Sequence, residues 1–256
     1  MTGTPEFHLL IGIDDTDNAD SPGSGSLAEA LARDLFAKGL ADCGPISRHQ
    51  LFVDDRIAYT SHNSAMCFSA VTGEASVPSV VDYCQAFLRH TVAAGSDPGL
   101  CVADVLGLAC EKELVEFGRQ AKQAIMDKRS AYLLAAQAGV HLSEHGGTGD
   151  GVIGSLAAVG LRLSGGDGRF RGWHHVGETG ASITVQDLCN YPFIDGVCGI
   201  DGSYLEPSEQ IEFGPSPLKT VCRDGRQVLL VTARSGDADP RAPLWTTMHR
   251  SQMKCF

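Results

Sequence analysis

Three carboxylates and a hydroxyl fall in four consecutive positions: Asp14, Asp15, Thr16 and Asp17. Like charges packed that closely repel, and burying them without a partner is costly. A cation relieves both costs. Mg²⁺ suits the set because it prefers hard oxygen ligands and commonly bridges carboxylates to phosphates. Asp14, Asp15 and Asp17 are therefore the expected metal ligands. The segment Ser21-Pro22-Gly23-Ser24-Gly25-Ser26 follows, and a helical pattern begins beyond it. Backbone N–H groups at a helix start attract anions, so Thr16, Gly23, Ser24 and Gly25 are expected to contact phosphate. The plainer alternative is an Asp-rich turn with a helix cap.

Two more polar loops could take part. Tyr59-Thr60-Ser61-His62-Asn63-Ser64 enters a strand pattern, and its His62 and Asn63 are candidate nucleotide or substrate contacts. Gly146-Gly147-Thr148-Gly149-Asp150-Gly151 opens a helix pattern. Glycines there allow close backbone approach to an anion, which makes Gly147, Thr148, Gly149, Asp150 and Gly151 candidates for the opposite wall. The loop is neither a Walker A sequence nor a Rossmann fingerprint. A third motif, His141-Leu-Ser-Glu144-His145, matches a zinc-hydrolase pattern that needs both histidines on one helix face. Gly139 and Gly146-Gly147 bracket it closely, so that helix would be short. The adjacent His174 and His175 point apart on any regular element and read as a surface pair.

The elements that must position these loops follow from periodicity. Phe7 to Ile13 is an apolar run, read as a buried strand ending at the acidic turn. Ser26 to Leu40, Val77 to Ala94, Glu111 to Met126 and Ser130 to Ala138 read as helices. Ile46 to Val53, Ser64 to Val71 and Leu100 to Val105 read as strands, with a turn at Asp97-Pro98-Gly99. Val152 to Leu163 is small and apolar, the pattern of a tightly packed buried helix. After Gly165 the composition shifts to short strands separated by Gly, Pro and Asp, among them Ala181 to Val185 and Val228 to Thr232. The tail from Ser235 reads as a surface segment. The expected organisation is α/β (or α+β), with a domain over 1–165 and a smaller β-rich C-terminal lobe over 166–256.

The net charge of −11 argues against a chain built mainly to hold a long polyanion, whose affinity would come from Lys and Arg. The nine cysteines are scattered, with no Cys-x-x-Cys, and read as buried free thiols in a reducing cytoplasm. No apolar run is long enough to span a bilayer, and no secretory signal is present.

Taken together, the loops resemble the N-terminal catalytic part of the archaeal tRNA(Ile) agmatinylcytidine synthetases. That family opens with Gly-Ile-Asp-Asp-Thr-Asp, matched by Gly12 to Asp17. Its asparagine loop is matched around Asn63, and its Asn-Pro-Gly turn by Asp97-Pro98-Gly99. Its Gly-x-Gly-Leu-Ile-Gly-Ala-Leu-Ala-Ala segment is matched by Gly149 to Ala158. The likeness runs from about residue 7 to 165. It implies a mixed-sheet, kinase-like domain that binds ATP and Mg²⁺ and cleaves the triphosphate. A phosphoacceptor threonine of the family corresponds to the serines here, and Ser26 joins Asp14, Asp15 and Asp17 as an expected catalytic residue. Two basic residues of the family are replaced by His62 and Thr148. The family's further tRNA-binding modules have no counterpart in these residues. The expected function is therefore an ATP- and Mg²⁺-dependent phosphotransferase or ligase with a small-molecule or nucleoside acceptor, tRNA being disfavoured as a partner. The alternatives are a shortened tRNA-modifying synthetase, a zinc hydrolase, or a nucleotide-binding regulatory protein without turnover. The chain is expected to be cytoplasmic, with a homodimer left open.

Overall fold

The computed structural model describes residues 6–57, 62–73, 76–234 and 244–255, without the side chains of the last two. Tyr59, Thr60 and Ser61 lie outside the described residues. The chain divides into two compact units, Met1–Ser164 and Gly165–Phe256.

The first unit is built on β1 (Glu6–Asp14). Its neighbours are β4 (Ser64–Gly73) and β5 (Gly99–Asp104), with β3 (Ser47–Gln50) and the short β2 (Asp42–Cys43) against β4, and β6 (His141–Glu144) against β5. All these pairs run antiparallel. An antiparallel sheet often leaves one face wet. Here helices cover both faces, which is why β1 is buried at consecutive positions from Leu9 to Ile13. Leu9, Ile11 and Ile13 meet α1 (Ser24–Ala37) and α2 (Val77–Thr91) on one side. Leu10 meets α3 (Glu111–Ala121), α4 (Lys128–Ala138) and α5 (Gly151–Leu163) on the other. Each such fully buried Leu or Ile contributes about 1.5–3 kcal/mol relative to exposure.

α5 is the innermost helix, buried almost all round from Gly151 to Leu161. Its small residues let it press backbone to backbone on its neighbours. A Cβ on Gly12 of β1 would lie 2.3 Å from the Ser155 carbonyl oxygen, and one on Gly99 of β5 would lie 2.1 Å from Gly151. A Cβ on Gly160 would meet Leu114 O of α3 at 1.9 Å. Side chains at these positions would push α5 off the sheet.

Two expected boundaries move, and one segment left unassigned becomes a strand. α1 begins at Ser24, not Ser26, so the serines stand in its first turn and not in a loop. α3 stops at Ala121, where Gln123 N and Ala124 N both bond back to Gln120 O, leaving residues 122–126 outside the helix. His141 to Glu144, where the zinc alternative would need a helix, is strand β6, because its backbone pairs with β5.

The second unit is β-rich. Strand β12 (Arg226–Ala233) forms a hairpin with β11 (Thr220–Arg223) through Asp224-Gly225, both at positive φ (51° and 73°), as a tight two-residue turn requires. The edge of β11 pairs with β7 (Arg169–Phe170). β12 also pairs in parallel with β9 (Gly196–Gly199) and antiparallel with β13 (Trp245–Thr247). β13 runs parallel to β10 (Gln210–Glu212), which pairs with β8 (Ser182–Thr184), ahead of the one-turn α6 (Val185–Leu188). Alternate residues of β12 enter two cores: Leu229 and Val231 one, Val228 and Leu230 the other. The expected surface tail thus contributes a sheet strand at Trp245–Thr247, while residues 235–243 lie outside the description.

Candidate active site

The first unit carries a cleft of about 340 Å³ at the C-terminal end of β1. The register explains what gathers there. Asp14 of β1 pairs with Gly99 of β5, so the turn before β5 comes beside the acidic turn. The Gly151 N–H donates to Asp97 O (3.0 Å), which brings the start of α5 to the same place. Asp14, Asp15 and Asp17 therefore share the cleft with Asp97, Asp150 and Gly151. The lining also includes Leu51, Ile57, Ile125, Met126 and Ile153, which add apolar surface to an acidic cleft.

Electrostatically the cleft is short of positive charge. Burial pushes the Asp14 carboxyl up to about 8, with Asp15 and then Asp17 adding to the effect against a hydrogen bond from the Asp15 N–H. Burial also raises Asp15 to about 6, followed by the carboxylates of Asp97, Asp17 and Asp150. Asp15 adopts positive φ (51°), which ends the strand at Asp14. The two cations on the wall are already engaged. Arg56 holds Asp54 with two bonds of 2.7 and 2.9 Å, and Lys128 Nζ lies 3.1 Å from Glu144 Oε2.

The acidic turn is also tied to α1. Asp17 Oδ1 accepts from Ser24 N (3.1 Å) and Ser24 Oγ (2.6 Å), and Thr16 Oγ1 donates to Ser24 Oγ (3.0 Å). That carboxylate winds the first helical turn two residues earlier than the apolar pattern suggests, in the manner of an N-cap. Ser24 is buried and lines the cleft, whereas Ser26 is exposed and does not line it. Thr16 is buried and, like Gly23 and Gly25, is absent from the lining.

His62 and Asn63 line the same cleft. Asn63 also has a structural task, since its Nδ2 donates to Phe52 O (2.6 Å). Of the glycine loop, Asp150 and Gly151 reach the lining, and Gly147, Thr148 and Gly149 do not. The Thr148 N–H donates to Asp97 Oδ1, and Lys128 Nζ donates to Thr148 O, so the loop is clamped from both sides. Sequence reasoning does not single out Asp97, Lys128 or Arg56. Asp97 looks like an ordinary turn residue, and only the β1–β5 register places it by Asp15.

The zinc reading fails on geometry. His141 and Ser143 of strand β6 and His145 just beyond it share a face: Ser143 Oγ lies 2.9 Å from both His141 Nε2 and His145 Nε2. Glu144 points the other way, to Lys128 and Tyr132. Strand alternation separates the groups that a helix would have brought together. His174 stacks on Phe193 at 3.6 Å between ring centres. Among the described residues, no three His, Cys, Asp or Glu side chains are grouped to hold a metal ion between them. That includes the expected triad, because Asp17 is turned to the start of α1. The cysteines among the described residues are free thiols. No helix among them is long and apolar enough to cross a membrane.

No protein-family model and no curated protein sequence matches the chain. Solved structures do. The apo form of TiaS, an agmatidine synthetase acting on an isoleucine tRNA, superposes with a TM-score of 0.54 at 20% identity, over 77% of this chain and 48% of that one. The complex of TiaS with that tRNA and ATP gives 0.52 at 19%, over 79% and 50%. The complex of TiaS with the tRNA, AMPCPP and agmatine gives 0.53 at 16%, over 94% and 60%. The chain has a TiaS-like fold and spans about half the length of these structures, in keeping with the resemblance drawn from its motifs.

Proposed function

We propose that the first unit binds a Mg²⁺–nucleoside triphosphate, ATP in the first instance, and uses its cleavage to activate an acceptor for joining to an amine. The observation that carries this reading is the convergence of Asp14 and Asp15 with Asp97 and Asp150 at the start of α5. The donor set is all oxygen and lacks a counter-charge, which fits a hard cation. It does not fit a metal held by three carboxylates alone. Mg²⁺ is commonly held by one or two carboxylates, with phosphate oxygens and water completing the shell. Asp14 and Asp15 would hold it, and it would neutralise charge on the phosphates. The chain's own residues do the rest. Asp97 and Lys128 fix the glycine loop, Asp17 fixes the start of α1, and Leu51, Ile125, Met126 and Ile153 offer an apolar wall to a ring.

The sequence alone favours a small-molecule acceptor. The likeness to TiaS favours an RNA base instead, since two of the neighbours hold tRNA and one holds agmatine. The acidic cleft supports an amine as the other substrate, because a protonated amine relieves the same repulsion a metal does. The test is to incubate the chain with Mg-ATP, agmatine and a tRNA(Ile) transcript. The nucleotide is then followed by phosphorus NMR and the RNA by mass spectrometry. RNA-dependent cleavage of ATP and a heavier RNA are expected. Cleavage that needs only a small amine or nucleoside, and ignores RNA, would return the acceptor to the small-molecule class.

A further inference from the structure

The second unit holds a feature that the cleft does not use. The Lys219 ammonium stands 4.8 Å, and the Arg250 guanidinium 5.0 Å, from the centre of the Trp173 ring. Two cations share one aromatic anchor in a chain whose net charge is −11. Cation–π attraction holds each in place. Hydrogen bonds place the Lys219 head and the Arg250 backbone. Lys219 Nζ donates to Gly172 O (3.1 Å), and the Arg250 N–H donates to Ser216 Oγ (3.0 Å). Among the described residues the Arg250 guanidinium has no carboxylate partner. Trp173 is itself anchored against the core of Met248, Met253 and Val221. Beside this cluster runs a groove of about 420 Å³ between segments 174–179 and 213–218. It is pinned by reciprocal backbone bonds between His174 and Leu218 (2.9 and 2.8 Å). His174, His175 and Ser216 line it, and Glu178 is its one lining carboxylate.

We propose that Lys219 and Arg250, set on Trp173, form a phosphate-binding site in the second unit. Its ligand carries two or more phosphates, either a polyphosphate chain or a nucleic-acid backbone. Arg supplies a planar fork matched to phosphate, and Lys a compact charge. The backbone-anchored aromatic holds both heads before the ligand arrives, which lowers the ordering cost of binding. The site lies wholly in the second unit and does not rest on the nucleotide reading of the cleft.

The test uses the full chain in EDTA, where the acidic cleft has no cation to hold phosphate. Inorganic tripolyphosphate and a short single-stranded RNA are titrated separately, with Trp fluorescence and anisotropy as readouts. Binding of at least one probe is expected, weakening with added salt. For RNA, Lys219→Gln and Arg250→Gln should each weaken binding and lower the salt slope by about 0.7. Arg250→Lys should keep most of the slope. RNA binding without tripolyphosphate binding identifies a backbone ligand, and equal binding of both identifies any polyphosphate. If neither probe binds, or if the double Gln variant binds as wild type while melting normally, the proposal is wrong.

Discussion

At the scale of single residues, the account turns on carboxylates that are harder to ionise in the folded chain than in the unfolded one. Asp14 rises from 3.8 to about 8 and Asp15 to about 6. The folded state therefore holds these protons more tightly. The stability they confer is fully present below about pH 4 and is lost as pH climbs through 6 and then 8. Metal-free protein should melt several degrees lower at pH 8.5 than at pH 5 in differential scanning calorimetry. Asp14→Asn should flatten that dependence, and added Mg²⁺ should restore the midpoint at the higher pH. A wild-type midpoint that climbs across this range would mean that the acidic cluster does not set the trend. A second residue-level prediction separates the serines. Ser24 Oγ both donates to Asp17 and accepts from Thr16, so Ser24→Ala should cost about 1–3 kcal/mol by leaving a carboxylate and a hydroxyl short of partners. Ser26→Ala, on an exposed site, should change stability by less than about 0.5 kcal/mol, both variants being compared with wild type by urea titration.

At the scale of elements, α5 decides whether the cleft exists. It reaches the sheet only because Gly12, Gly99 and Gly151 lack side chains where backbones touch. Gly99→Ala places a Cβ 2.1 Å from Gly151 and should destabilise by about 1–3 kcal/mol while weakening nucleotide binding. Gly73→Ala, with nothing within 4 Å, should stay within about 0.5 kcal/mol. Equal midpoints for the two variants would remove the close-packing argument. Much of this architecture is legible in the sequence. β1 and α5 announce themselves by an apolar run and by small residues on every face, and α2 by its buried Val80, Cys84 and Leu88. The misses have local causes. Four residues, His141 to Glu144, cannot distinguish period 2 from period 3.6 until a partner strand is known. α1 starts early because a carboxylate seven positions back caps it, which apolar periodicity does not record. Trp245–Thr247 is a strand made by long-range pairing, not by its own pattern. The position of Asp97 depends on the same kind of information, since turn chemistry names the turn but not what it faces.

For the whole molecule, the central claim is that a first unit with a TiaS-like fold gathers its acidic loops into a magnesium–nucleotide site. The second unit is β-rich, with two small cores on either side of β12. The chain spans about half the length of the structures it resembles, so the claim is best tested on this chain's own cleft and not on the activity of longer proteins. Isothermal titration of ATP into wild type and into Asp15→Asn, each with Mg²⁺ and with EDTA, is the most direct measurement. The account predicts one ATP per chain in wild type with Mg²⁺, and binding weakened on the order of tenfold or more by EDTA or by the substitution, as loss of one charge-bearing ligand implies. ATP binding of equal strength in all four titrations would contradict it.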